Sequence, residues 1–255
     1  MKIIISPAKK MRRKEEELSE ITRPVFYEQA CQLREELKKM DFGDLKALWN
    51  CNEKIAEENQ ERLRRFAMDQ NLTGAVLAYE GIQYQYMAPQ VFTDSQWEYV
   101  KEHLRILSGL YGILRPQDGV IPYRLEMQAR LKAGDCKNLY EFWGERLYRE
   151  LTKDDRVILN LASKEYSKAI EKYLEKDVRY ITCIFGEEIQ GRIKVKATKA
   201  KMVRGEMVRW LSANQIEEAD EVKNFHGLDY GYREEYSSDT EFVFLERKRD
   251  KEETC

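Results

Sequence analysis

The chain has 255 residues, 42% of them hydrophobic, which is enough for a sizeable buried core, and no run of 18 apolar residues suggests a membrane-spanning helix. Its 44 basic and 46 acidic residues leave a formal charge of −2, so global charge excludes a general attraction to nucleic acid or membrane, and a polyanion partner would need a local patch. Cys31, Cys51, Cys136, Cys183 and Cys255 form no Cys-x-x-Cys pair and His103 and His226 are the only imidazoles, so free thiols, no metal and no cofactor are expected.

Lys2 to Ile5 reads as a β-branched strand stopped by Ser6-Pro7. Its charges follow the apolar run, the reverse of a signal peptide, and a cytoplasmic protein is expected. The strand delivers Lys9, Lys10, Arg12, Arg13 and Lys14 into a loop, and a lysine at the end of a core strand is well placed for an anionic ligand. Ala30, Leu33, Leu37 and Met40 recur at helical spacing and predict a helix over 27–40, followed by helices over 44–49 and 53–67. Ala75 to Ala78 is expected to be a short strand. The tyrosine-rich stretch Tyr79 to Tyr86 can fill a core edge or stack bases. Thr93 is placed to cap a helix running to His103, with Trp97, Val100 and Leu104 facing inward.

Residues 106–114 form an almost unbroken apolar run and are expected to make one covered strand, with Gly109 and Gly112 allowing close backbone approach. Pro116, Asp118-Gly119 and Pro122 end it. If Tyr123 to Met127 is extended, Arg124 and Glu126 share one face, as a structural ion pair or a ligand clamp. After a Gly134-Asp135 turn, one helix is predicted over 138–151 and a strand over 157–161. That strand exits into Asn160, Ser163 and Tyr166, a polar cluster suited to a ligand contact, although Ser163 could equally cap the next helix. A hairpin is predicted from 179–185 and 193–195, then a helix over 196–211. Aromatic strands follow Phe225, most clearly Glu241 to Leu245, and residues from Lys248 are expected to be disordered. Helices mixed with short strands and no internal repeat indicate an α/β, mixed α+β, single domain over 1–247.

The strongest local charge lies at 192–209, where Arg192, Lys194, Lys196, Lys199, Lys201, Arg204 and Arg209 meet only Glu206 in the same segment. Such a block predicts phosphate or polyanion binding.

Five blocks together are more specific than any one of them: IISPAKKM at 4–11, LSGLYGILRPQDGVIPYRLEM at 107–127, NLYEFWG at 138–144, NLASKEY at 160–166 and KATKAKMVRGEM at 196–207. In this order and spacing they resemble the YaaA family of bacterial peroxide-stress proteins. The resemblance implies a mixed α/β fold with a positively charged cleft, DNA binding, and a link to limiting intracellular iron during peroxide stress. It also implies a helix-hairpin-helix, for which residues 44–67 are the place to look. That element presents backbone N–H groups from a glycine-rich turn, whereas Glu57-Glu58-Asn59 stand here, so an ordinary helical pair is expected.

Two functions follow. In the first, the basic segment holds double-stranded or distorted DNA through phosphates without reading bases. In the second, Ser6, Lys9, Arg124, Glu126, Asn160, Ser163 and Tyr166, with Lys199 and Arg204, form a pocket for a small anionic or nucleotide-like ligand, with Glu126 or Lys9 as candidate catalytic groups. No Walker loop, dinucleotide fingerprint or Ser-His-Asp set names a reaction. A monomer is expected. The peroxide link suggests a thiol sensor, but only Cys136, beside both Lys137 and Asp135, has a neighbouring cation, and no sensing cysteine is expected.

Overall fold

The first strand, β1 (Lys2–Ile5), lies inside the main sheet, and the rest of the molecule is arranged around it. Ile3, Ile4 and Ile5 are wholly buried, which requires cover on both faces of the strand, and each contributes about 2 kcal/mol by leaving water. The other strands of this sheet are β2 (Leu104–Ser108), β3 (Gly112–Leu114), β4 (Val157–Asn160), β5 (Arg179–Ile189), β6 (Arg192–Lys194), β7 (Tyr230–Tyr232) and β8 (Glu241–Glu246). The structure, a computed structural model, describes residues 1–13 and 20–247. The disorder expected from Lys248 onward, like Lys14, lies outside the described residues.

The sheet runs β7-β8-β5-β4-β1-β2-β3, with β6 paired to β5. The inner pairs are parallel, including β1 with β2 (Ile5 opposite Ile106) and β1 with β4 (Ile4 opposite Asn160). The three hairpin-type pairs are antiparallel. A mixed α/β fold is therefore present. The parallel core brings the carboxyl ends of β1 and β4 to one edge, the usual place for a ligand in such sheets.

The helices are α1 (Tyr27–Lys38), α2 (Phe42–Trp49), α3 (Glu53–Arg65), α4 (Ile82–Met87), α5 (Asp94–His103), α6 (Leu139–Trp143), α7 (Arg146–Leu151), α8 (Lys164–Glu171) and α9 (Ala197–Ala213). Thr93 caps α5 as anticipated, and Gln96 completes a reciprocal capping box. Helix α9 packs on α4, α5 and β5. Its Gly205 lets the backbones of α9 and α4 meet, because a Cβ there would lie 2.1 Å from the Gln83 carbonyl oxygen.

Several expectations are corrected. Residues 106–114 are a hairpin rather than one strand: β2 and β3 pair through Ile106 opposite Leu114, with the turn ending at Gly112 (φ 73°). The close approach at Gly109 is real, since a Cβ would meet the Leu125 carbonyl oxygen at 2.3 Å. Ala75–Ala78 is a buried helical turn, not a strand. The helix expected over 138–151 breaks at Gly144 (φ 52°, ψ −137°) into α6 and α7. Strand β5 continues to Ile189, so the hairpin turn is only Gln190-Gly191, both at positive φ as a two-residue hairpin loop demands.

Candidate functional site

Ser6 follows directly on β1 and is tied to the loop after β4. Its Oγ accepts the Ser163 backbone N–H at 2.8 Å and donates to Ser163 Oγ at 3.1 Å, while its carbonyl accepts from Tyr84 Oη at 3.0 Å. Ser163 occupies the N-cap position of α8, but its side chain makes no capping bond; the hydroxyl is engaged with Ser6 instead. Asn160 shapes the same loop. Its Oδ1 accepts from the Ala162 N–H at 2.9 Å and its Nδ2 donates to Thr182 Oγ1 at 3.2 Å, so its amide is used internally.

The segment after β3 supplies the charged wall. Arg124 and Glu126 share a face and pair at 3.0 Å, each side chain only 10% exposed, and Lys9 reaches Glu126 at 3.3 Å from solvent. The Arg124 guanidinium also donates to the Trp49 carbonyl at the end of α2, at 3.3 to 3.4 Å. This anchors the pair to a helix C-terminus that favours a cation. A buried carboxylate with two cations stays available to a ligand only if it can accept further donors, and Glu126 Oε1 makes no hydrogen bond of good geometry.

Ser6, Lys9, Glu126, Ser163 and Tyr166 line one cavity of about 350 Å³, together with Lys201 and Arg204 of α9. Arg124 stands behind Glu126, and Asn160 behind the Ser6–Ser163 contact, rather than on the lining. Sequence reasoning missed Lys10, Gln83, Tyr84 and Glu165, which complete the walls. Glu165 could have been found, because it lies between Ser163 and Tyr166 in the quoted block; Gln83 has no local signal. Burial, together with the negative charge of Glu126 beside it, raises the Glu165 carboxyl above the usual range, although its Oε1 accepts the Gln128 N–H at 3.3 Å and the Met127 N–H also acts on the carboxylate. Burial likewise pushes the Tyr166 and Tyr84 hydroxyls well above a tyrosine's ordinary value, which already leaves them protonated at neutral pH.

Arg204 is half-buried, has no carboxylate partner among the described residues, and burial lowers its pKa. Its Nε is buried without a hydrogen bond, and so is Nε2 of Gln83 on the facing helix. The rest of the basic segment divides. Glu187 takes Lys196 and Lys199 at 2.7 Å each, and Lys199 also reaches Glu246 at 2.6 Å. These contacts hold the Glu187 carboxyl well below its ordinary value, and they place Lys199 in a separate cavity with Glu187 and Arg233. Arg192, Lys194, Lys201 and Arg209 are exposed and unpaired among the described residues.

A second cavity of about 530 Å³ adjoins the first through Lys9 and Glu126 and is bordered by Trp49, Asn50 and Arg130. The turn between α2 and α3 is Asn50–Asn52, with Asn50 left-handed and Asn52 capping α3. Glu57-Glu58-Asn59 therefore lie inside α3 rather than in the turn, where Glu58 pairs with Arg62. Cys31, Cys51 and Cys136 are half-buried and Cys183 is buried, all as free thiols; burial pushes Cys31 and Cys183 up, away from thiolate reactivity. His103 is buried between the Met1 carbonyl at 2.8 Å and Glu217 at 3.2 Å. Among the described residues no three His, Cys, Asp or Glu side chains gather as a metal site, and no helix is long and apolar enough to cross a membrane.

Comparison with known proteins bears on the blocks that build this cavity. The family described as "Peroxide stress protein YaaA" matches residues 1–236. A UPF0246 protein of Pediococcus pentosaceus is 50% identical over 248 residues, covering 97% of this chain and 99% of that protein. UPF0246 proteins of Agathobacter rectalis and Desulfitobacterium hafniense are 52% and 49% identical, covering 97% and 98% of this chain and 99% and 100% of their own lengths. The similarity spans the main sheet, the segment bearing Arg124 and Glu126, and α9 alike, and the chain belongs to the YaaA family of peroxide stress proteins.

Proposed function

We propose that this peroxide-stress protein binds DNA, duplex or distorted, through phosphates without reading bases, and so helps to limit iron-dependent oxidative damage. The observation that carries this reading is the exposed set Arg192, Lys194, Lys201 and Arg209 on β6 and α9, none with a carboxylate partner among the described residues. Unpaired surface cations release counterions from DNA at little cost, whereas Lys196 and Lys199 must first leave Glu187 and Glu246. Binding to unrelated duplexes in a salt series tests this. Lys201→Ala with Arg209→Ala should flatten the slope of log K against log salt by about 2. Lys196→Ala with Lys199→Ala should change it less. A folded Lys201→Ala/Arg209→Ala protein with unchanged affinity and slope would remove this surface from DNA binding.

A second reading is favoured by one observation, Arg204 on the cavity wall without a carboxylate partner among the described residues. A desolvated guanidinium facing an open cavity is a site for a small anionic ligand.

A further inference from the structure

We propose that the cavity at the carboxyl ends of β1 and β4 binds a phosphomonoester of a polyol, with the phosphate on Lys201 and Arg204 and the hydroxyl groups on Glu126 and Glu165. This rests on the small-anion reading and assigns its ligand class.

Three features of the lining lead there. The first is its orphaned donors. Gln83 is 6% exposed, Arg204 Nε is buried, and among the described residues both Gln83 Nε2 and Arg204 Nε lack a hydrogen-bond partner on walls built by α4 and α9. Buried donors in native proteins are almost always satisfied, so donors left open on a cavity wall call for an acceptor delivered by a ligand. Gly205 lets the two helices come into backbone contact, so Arg204, its chain neighbour, and Gln83 belong to elements packed directly on one another rather than to a mobile surface.

The second feature is the distribution of charge. Glu80 is already paired with Lys10 and Arg12, and Glu126 with Lys9 and Arg124. Among the described residues, Lys201 and Arg204 from α9 and Glu165 from α8 make no ion pair on this lining, although Lys9 and the backbone N–H groups of Gln128 and Met127 act on Glu165. A phosphomonoester carries close to two negative charges at neutral pH and offers three strong acceptors, matching the two free cations and the Gln83 amide. The acidic side asks for the opposite chemistry. Burial penalises the Glu165 charge and the neighbouring Glu126 adds to that penalty, so this wall favours a neutral hydrogen-bond donor over another anion. Alcohol groups are such donors, and a ligand with phosphate at one end and hydroxyls at the other satisfies both walls.

The third is size. About 350 Å³ falls at the lower end of small-molecule sites and accepts a sugar phosphate or a mononucleotide, not a duplex. Tyr84 and Tyr166 add ring surface to the lining.

Calorimetric titration of the full chain tests the assignment with ribose 5-phosphate, glucose 6-phosphate and AMP as probes, each beside its dephosphorylated counterpart, and with inorganic phosphate. At least one ester should bind about tenfold more tightly than both its dephosphorylated counterpart and inorganic phosphate. Lys201→Ala should weaken that ester by about tenfold, and Arg204→Gln by more. Should the buried Arg204 variant fail to fold, the exposed Lys201 variant decides. Glu165→Gln should weaken the ester while leaving inorganic phosphate unchanged. Inorganic phosphate binding as tightly as every ester, and weakened by Lys201→Ala, would overturn the polyol assignment and leave the small-anion reading standing. No binding by any of these probes would overturn both. An ester that binds equally well to the Lys201 and Glu165 variants would place the ligand elsewhere and also overturn the proposal.

Discussion

Glu165 carries the clearest consequence of single-residue chemistry. Its folded pKa is raised by burial and by Glu126, so over the interval from the ordinary carboxyl value, about 4.3, up to the raised one, the native state keeps a proton that the unfolded chain has released. Its contribution to stability is then fully present below that interval and lost as pH rises through it. Asp118 shifts in the same direction through burial and remains in both proteins, so the informative quantity is the difference between wild type and Glu165→Gln. Urea midpoints measured from pH 4 upward should fall more steeply in the wild type than in the variant. Parallel curves would mean that Glu165 is not perturbed in the folded protein. Arg124 and Glu126 show the same scale from the other side: two charges two positions apart pair at 3.0 Å, the structural ion pair that was one of the two roles open to them in the sequence.

At the scale of elements, α9 and its contact with α4 decide where the cations of the basic segment point. Replacing a helix-interior glycine with alanine normally stabilises, by roughly 0.5–1 kcal/mol. At Gly205 the new Cβ would fall 2.1 Å from the Gln83 carbonyl oxygen, which is backbone and cannot step aside without moving α4. We expect Gly205→Ala to lose about 1–3 kcal/mol, the usual cost of overpacking, seen as a lower urea midpoint. It should also weaken any ligand held between Gln83 and Arg204. A stabilised Gly205→Ala protein would show that the two helices are not in backbone contact. The hairpin of β5 and β6 teaches a related lesson, because the extension of β5 to Ile189 is what brings Glu187 against Lys196 and Lys199. Charge counted along one segment omits the carboxylates that pairing delivers from another.

For the molecule as a whole, the sheet draws strands from Lys2 to Glu246, with β1 held between strands more than a hundred residues later. No piece of the chain can keep β1, β4 and β5 together after losing the others, so the sheet should unfold as a unit. Tryptophan fluorescence, which reports the buried Trp49 and Trp143 side chains together with the half-buried Trp97 and Trp210, and far-ultraviolet circular dichroism should give coincident urea transitions. Two separated transitions would divide the chain into independently stable parts.

The residues alone determined the local features: β1 from its isoleucine run, α1 and α9 from their apolar spacing, the capped start of α5 at Thr93, and the family blocks that carry Ser6, Lys9, Glu126, Ser163 and Tyr166. These depend on periodicity and on neighbours within a few positions, which a sequence displays directly. Tertiary structure decided the rest. An unbroken apolar run at 106–114 is equally compatible with one strand or a hairpin, and the choice fell to the hairpin where Gly112 turns against Trp143 and Leu147, from a helix pair far along the chain. Four apolar residues at Ala75–Ala78 are too few for a period to show whether they are strand or helix. The pairing of Lys199 with Glu187 and Glu246, and the burial of Gln83 Nε2 and Arg204 Nε beside one cavity without partners among the described residues, depend on which distant elements lie alongside. Electrostatic compensation and burial act through space, and it is the packing of α9 on α4 and β5 that fixed which charges are satisfied and which remain open to a ligand.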